Sequence, residues 1–141
     1  MLKLAALVVV VLLNASSAVA ATTACHNISG GYVQEFVPCN VPAVACVDAT
    51  LTGDLVGVSH TVITTFDPTT QAFTGDVTIV RNNGSILTAT IKGVSGSGVG
   101  FETITGGTRQ FVGATGFIVA TDIVHFVGNY AGQYCLAGDE Q

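Results

Sequence analysis

Between residues 126 and 136 the chain reads Phe126-Val127-Gly128-Asn129-Tyr130-Ala131-Gly132-Gln133-Tyr134-Cys135-Leu136. Phe126, Gly128, Tyr130, Gly132, Tyr134 and Leu136 alternate with Val127, Asn129, Ala131 and Gln133. A period of two places the first set on one face of a β-strand and the second on the other. Aromatic and glycine residues take turns along the first face. That suits the tapered interior of a small barrel, where large and small side chains must share space.

The same period runs upstream. Val47, Ala49, Leu51, Gly53 and Leu55 alternate with Asp48, Thr50, Thr52 and Asp54. Phe73, Gly75, Val77 and Ile79 alternate with Thr74, Asp76 and Thr78. Val, Ile and Thr dominate, as a pleated surface favours. After residue 20 no segment sustains a 3.6-residue repeat. Turn chemistry separates the runs: Asp67-Pro68, Asn83-Gly84, Ser95-Gly96-Ser97-Gly98 and Gly106-Gly107-Thr108. Asn83-Gly84 is the preferred pair for a two-residue type I′ hairpin. Strands are expected near 31–38, 46–56, 58–66, 72–81, 85–94, 98–106, 115–124 and 126–136. Gly57 as a bend inside one long strand would reduce the count to seven.

Short strands at about ten-residue spacing indicate a sandwich or barrel. With no helix to cover a sheet, closure best removes the exposed edges. The expected fold is therefore all-β: a single antiparallel, up-and-down barrel of roughly eight strands. Such a barrel has a lumen that side chains fill or that holds one small ligand. With eight strands, Cys25 before the first strand lies at the same end as Cys135 near the close of the last. Cys39 and Cys46 flank the first loop at the other end. The expected disulfides are Cys25–Cys135 and Cys39–Cys46; seven strands would move Cys135 to the opposite end.

Composition narrows the setting. Of 141 residues, 49% are hydrophobic and only 9% charged, which excludes a disordered chain. Lys3, the apolar run Leu4–Leu13 and the closing Ala18-Val19-Ala20 have the form of a secretory leader, giving a signal peptide over 1–20 and a barrel domain over 21–141. The apolar run is about half the length that a membrane span needs. A lipobox at Cys25 is disfavoured by Thr22. Export also suits four paired cysteines. The expected location is extracellular, or periplasmic in a Gram-negative source. Removing Lys3 leaves three basic against nine acidic residues. Nucleic acid is thus not an expected partner, and after leader cleavage neither is a membrane. Asn27-Ile28-Ser29 and Asn83-Gly84-Ser85 fit the N-glycosylation pattern, relevant in a eukaryotic source.

The segment from Phe101 to Gly116, Phe-Glu-Thr-Ile-Thr-Gly-Gly-Thr-Arg-Gln-Phe-Val-Gly-Ala-Thr-Gly, resembles a signature of the allene oxide cyclase-like and dirigent-like barrel families, ITGGTGRFAGATG. Leu51–Leu55 and Phe66–Gly75 are similar to small secreted members from microbes. The resemblance implies an eight-stranded antiparallel barrel, often a trimer or dimer in plant members, so a homo-oligomer is an expected form. Arg109-Gln110 stands where the signature has Gly-Arg, and Phe111 is expected to plug the barrel end. The resemblance carries over no catalytic residue.

Few residues point to chemistry. His26, His60 and His125 lack a nucleophile elbow, since Gly57-Val58-Ser59-His60-Thr61 misses the final glycine. His60 shares a face with Val58, Val62 and Phe66 and is expected to be hydrogen-bonded and partly buried. No glycine run has dinucleotide or phosphate-loop spacing, and neither a metal site nor a cofactor is expected. Most strand carboxylates alternate with threonine, the mark of a wet outer face. Glu102 and Asp122 sit among apolar neighbours and are the candidates for a lumen acid. Phe126, Tyr130 and Tyr134 are the candidate ligand-binding stripe. Three functions are compatible with this set. The first is a non-catalytic module that binds or guides a small apolar molecule. The others are an isomerase or cyclase using a lumen carboxylate, and a structural or cell-surface interaction protein.

Overall fold

The computed structural model describes residues 23–138; the expected leader lies outside them. The strands are β1 (Thr23–Val37), β2 (Ala45–Leu51), β3 (Gly57–Phe66), β4 (Ala72–Arg81), β5 (Ile86–Val94), β6 (Val99–Gly107), β7 (Thr115–Thr121) and β8 (Val127–Ala137). They close into one antiparallel barrel in chain order, with β8 returning to β1. The fifteen-residue β1 makes closure possible. Its first part, Thr23–Val33, pairs with β8 and its last part, Tyr32–Val37, with β2. This offset between its two partners is the stagger that a closed barrel requires.

β1 starts earlier than the sequence suggests. Thr23–Gly30 is rich in small polar residues, and only Ile28 in it is buried. Its strand state follows from pairing with β8. Gly57 opens β3 after a short 3-10 turn, Gly53–Leu55, so the count is eight. The Asn83-Gly84 turn also departs from expectation. Arg81 O accepts from Gly84 N, and Arg81 N donates to Ser85 O. Only Gly84 has positive φ. The loop therefore has three residues, a type I turn closed by a left-handed glycine, and not a two-residue type I′ turn.

The aromatic–glycine alternation has a direct cause. Tyr32 pairs with Gly128 and Tyr130 with Gly30 across the β1–β8 seam. A Cβ on Gly128 would come within 2.5 Å of Tyr32 Oη and 2.0 Å of the Thr121 carbonyl. Each ring thus lies over the glycine opposite and fills the space that its missing side chain leaves. Gly128→Ala is expected to destabilise the barrel by about 2 kcal/mol through overpacking against backbone, as read from urea unfolding.

The two ends differ. At one, Leu55 and Phe111 are completely buried and close the lumen. Phe111 meets Tyr134 edge-on, at 5.2 Å between ring centroids, and the Arg81 guanidinium lies over the Phe111 ring, 5.8 Å from its centroid. Phe111 sits in a second 3-10 turn, Arg109–Phe111. Arg109 takes φ 52°, a left-handed value that glycine adopts more readily. It stands at the position where the signature has glycine. Its guanidinium donates to the Asn83 carbonyl at 2.6 Å, which ties the two closed-end loops together. Cys25–Cys135 staples β1 to β8 at this end, and Cys39–Cys46 staples the β1–β2 loop at the other.

Candidate functional site

Opposite the Phe111 plug the lumen stays open as a cavity of about 410 Å³. That lies within the range of small-molecule sites. Its wall is mainly apolar because inward positions of every strand follow the period of two. Leu51, Val77, Ile79, Ile91 and Ile118 line it, and Phe36, Phe66 and Phe126 stand at the open end.

The polar side chains on the wall are Tyr32, Gln34, Ser59, Thr61, Ser95, Glu102 and Tyr130, and three of them are engaged with backbone. The Tyr32 hydroxyl donates to the Thr121 carbonyl, and the Gln34 side-chain amide donates to the Ile123 carbonyl. Tyr130 Oη donates to the Thr52 carbonyl and accepts from Leu55 N, both at 2.8 Å. These bonds pin the loops below and above the cavity to its wall. Burial pushes the Tyr32 phenol up to about 12, helped by the negative charges of Asp122 and Glu102. Burial also raises the Tyr130 phenol above its ordinary value.

Glu102 is different. It projects from β6 into the lumen, where its strand partners are Ile91 and Ile118. Among the described residues its Oε2 is shut off from solvent without a hydrogen-bond partner. Burial alone raises its carboxyl from 4.5 to about 7. A buried carboxylate without a counter-charge is costly, so the proton is retained to higher pH. The group therefore alternates between donor and acceptor near neutrality.

The other sequence candidates separate. Asp122 is corrected: β7 ends at Thr121, and Asp122 lies in the following turn at φ 61° with its side chain 60% exposed, 4.0 Å from His125. The apolar residues around it in sequence belong to the strand before and to the turn itself. Phe126 and Tyr130 line the cavity. Phe126 does so from the turn, at φ 63°, and meets Phe36 edge-on at 5.7 Å. Tyr134 lies beyond the cavity floor, against Phe111 and stacked on His26. His60 points outward, 45% exposed, and bonds Asp48 on the outer wall. The expectation that it is partly buried fails because its strand face is the outer one, whereas Ser59, Thr61 and Ile63 turn inward. Asn27 and Asn83 are both exposed; Asn27 bonds Gln133, and Asn83 bonds Gln110 and Ser85 N. Among the described residues no cluster of three metal-ligating side chains occurs.

Tyr32, Gln34 and Phe36 were not singled out from the sequence. The signal existed, since Ile28, Gly30, Tyr32, Gln34 and Phe36 repeat the period and the glycine–aromatic alternation of β8.

A solved structure of a pterocarpan synthase dirigent protein superposes on this chain with a TM-score of 0.61. It shares 18% identity over 84% of this chain and 88% of its own. The barrel has the dirigent fold. No protein-family model matches the chain, and no curated protein matches it. The dirigent-like resemblance of the Phe101–Gly116 segment thus agrees with the three-dimensional likeness. In the barrel that segment forms the end of β6, the plug turn and the start of β7.

Proposed function

We propose that this dirigent-like barrel binds or guides a small, mainly apolar molecule held in its lumen, with Glu102 as the buried carboxyl offered to it. The observation that carries this reading is the open cavity of about 410 Å³, in which the tyrosine hydroxyls and the Gln34 amide are spent on backbone while Glu102 Oε2 is free. A neutral Glu102 donates to a carbonyl, ether or hydroxyl oxygen of the guest, and the aliphatic wall accepts the rest. The two disulfides support an oxidising, extracytoplasmic location.

Saturable uptake of N-phenylnaphthylamine, an uncharged apolar fluorophore, tests the reading. Ala120→Phe and Ala45→Phe, both in the cavity wall, are each expected to reduce uptake about tenfold or more by occupying the guest's volume. Thermal unfolding confirms that both variants fold. Uptake unchanged by either filling residue would place the probe elsewhere and remove the proposal.

A second reading is favoured by one observation, the carboxyl poised near pH 7 inside the lumen. Such a group suits general acid–base catalysis, and the structural neighbour is a pterocarpan synthase dirigent protein. If Glu102 moves a proton, Glu102→Gln retains probe uptake but abolishes deuterium exchange into an enolisable ketone bound in the lumen. Exchange unaffected by that substitution would leave the binding role alone.

A further inference from the structure

We propose that the apolar rim around the cavity mouth is a docking surface for a zwitterionic lipid layer, one without net charge. Its service as a loading route for the guest rests on the lumen reading above. The rim is assembled from the four loops at the open end, 38–44, 67–71, 95–98 and 122–126, with the strand ends beside them. Phe36 is 66% exposed, Val41 52% and Val44 56%, and Phe66, Val124 and Phe126 are also exposed. Val41 and Val44 project from the small loop that Cys39–Cys46 closes, so the disulfide restrains two apolar side chains at the tip.

These side chains ring an opening. A peptide would need a groove, whereas a ring meets a plane, and an apolar ring presented to a plane is the arrangement by which proteins sit in the outer part of a bilayer. Phe36, Val44, Phe66, Val124 and Phe126 also line the cavity mouth. The apolar surface therefore continues from the rim into the lumen, and a guest dissolved in lipid would pass inward without crossing water.

Charge selects the kind of surface. The four loops contain Asp67, Asp122 and one histidine, His125, which lies 4.0 Å from Asp122, and neither Lys nor Arg. Arg81 and Arg109 lie at the closed end, and Lys92 is on the outer wall of β5. An anionic membrane would repel this end, as would the same end of a second copy. The outermost group of phosphatidylcholine is a quaternary ammonium, which complements the two carboxylates. No single stretch of chain shows this surface, since the rim is collected from four separated loops.

The test is flotation of the secreted, disulfide-bonded protein with phosphatidylcholine vesicles and with vesicles containing phosphatidylserine. Binding is expected on the first and weaker binding on the second. Val41→Asp and Val94→Asp, at the rim but outside the cavity wall, are each expected to lower phosphatidylcholine binding about tenfold. Probe uptake in solution should not change. Phe117→Asp, on the exposed outer wall of β7, is expected to leave flotation intact. No flotation with phosphatidylcholine, a preference for phosphatidylserine, or loss through Phe117→Asp but not Val41→Asp would each overturn the proposal. So would light scattering that finds a dimer dissociated by Val41→Asp, because a second copy would then occupy the rim. Probe uptake without flotation refutes the rim alone. Flotation without probe uptake refutes the lumen reading and the loading route.

Discussion

Replacing Cys25 and Cys135 by alanine is expected to destabilise the barrel by about 4–5 kcal/mol, roughly twice the loss from replacing Cys39 and Cys46. The difference follows from chain entropy. The first disulfide joins residues 110 apart and the second residues 7 apart. The longer loop removes far more freedom from the unfolded chain. The native state adds to the contrast. Cys25 and Cys135 face each other in register on β1 and β8, so their bond holds the seam by which the sheet becomes a ring. Urea unfolding of the two double variants measures both losses. Equal losses would show that loop length does not set the stabilisation, and that residual structure in the unfolded chain outweighs it.

Glu102→Gln is expected to stabilise the protein by about 2 kcal/mol near pH 8 and to change little near pH 4. In the unfolded chain the carboxyl titrates near its ordinary 4.5, and in the barrel it titrates at about 7. Between those values the folded chain holds a proton that the unfolded chain has released. Stability therefore falls as pH rises through that window and remains lower above it. The full penalty is about 3 kcal/mol. Glutamine recovers part of it, since its amide remains a buried polar group with its own desolvation cost. Denaturant unfolding of both proteins across this pH range reads the effect. A wild-type stability that does not fall between these pH values would mean that the lumen admits enough water to solvate the charge, and the guest would then meet a carboxylate.

The open, apolar half of the barrel ties these predictions to function. The energy lost by burying Glu102 without a partner does nothing for folding. It leaves a hydrogen-bonding group aimed into an apolar cavity, which is the arrangement expected of a site that pairs with its guest.

Much of the fold was legible in the residues. The alternation at Val47–Leu51, Phe73–Ile79 and Gly128–Tyr134 fixes which side chains face inward, because a pleated strand admits only two faces. The parity of eight strands then brings Cys25 to Cys135. Glu102 was legible as a lumen acid because it lies inside a strand whose partners are apolar. Asp122 has equally apolar neighbours in sequence, yet it sits one residue past the end of β7, where the chain turns left-handed and the alternation lapses. Local pattern cannot locate that last paired residue, since the ladder to β8 decides where the strand stops.

The sequence alone determined a β-barrel with an apolar interior and, with eight strands, its disulfide partners, because period-two patterning and chain parity are local properties of the residues; it left Glu102 and Asp122 both standing as lumen acids. Phe111 plugs one end, as its place in the glycine segment suggests, but only the tertiary structure decided that the other end stays open, that Tyr130 faces the cavity and Tyr134 the plug, and that scattered loop residues form one apolar ring. Those features depend on strand stagger and on the positions where loops leave the sheet. Both are set by pairing between residues as distant as Thr23 and Ala137, and no short stretch of chain records them.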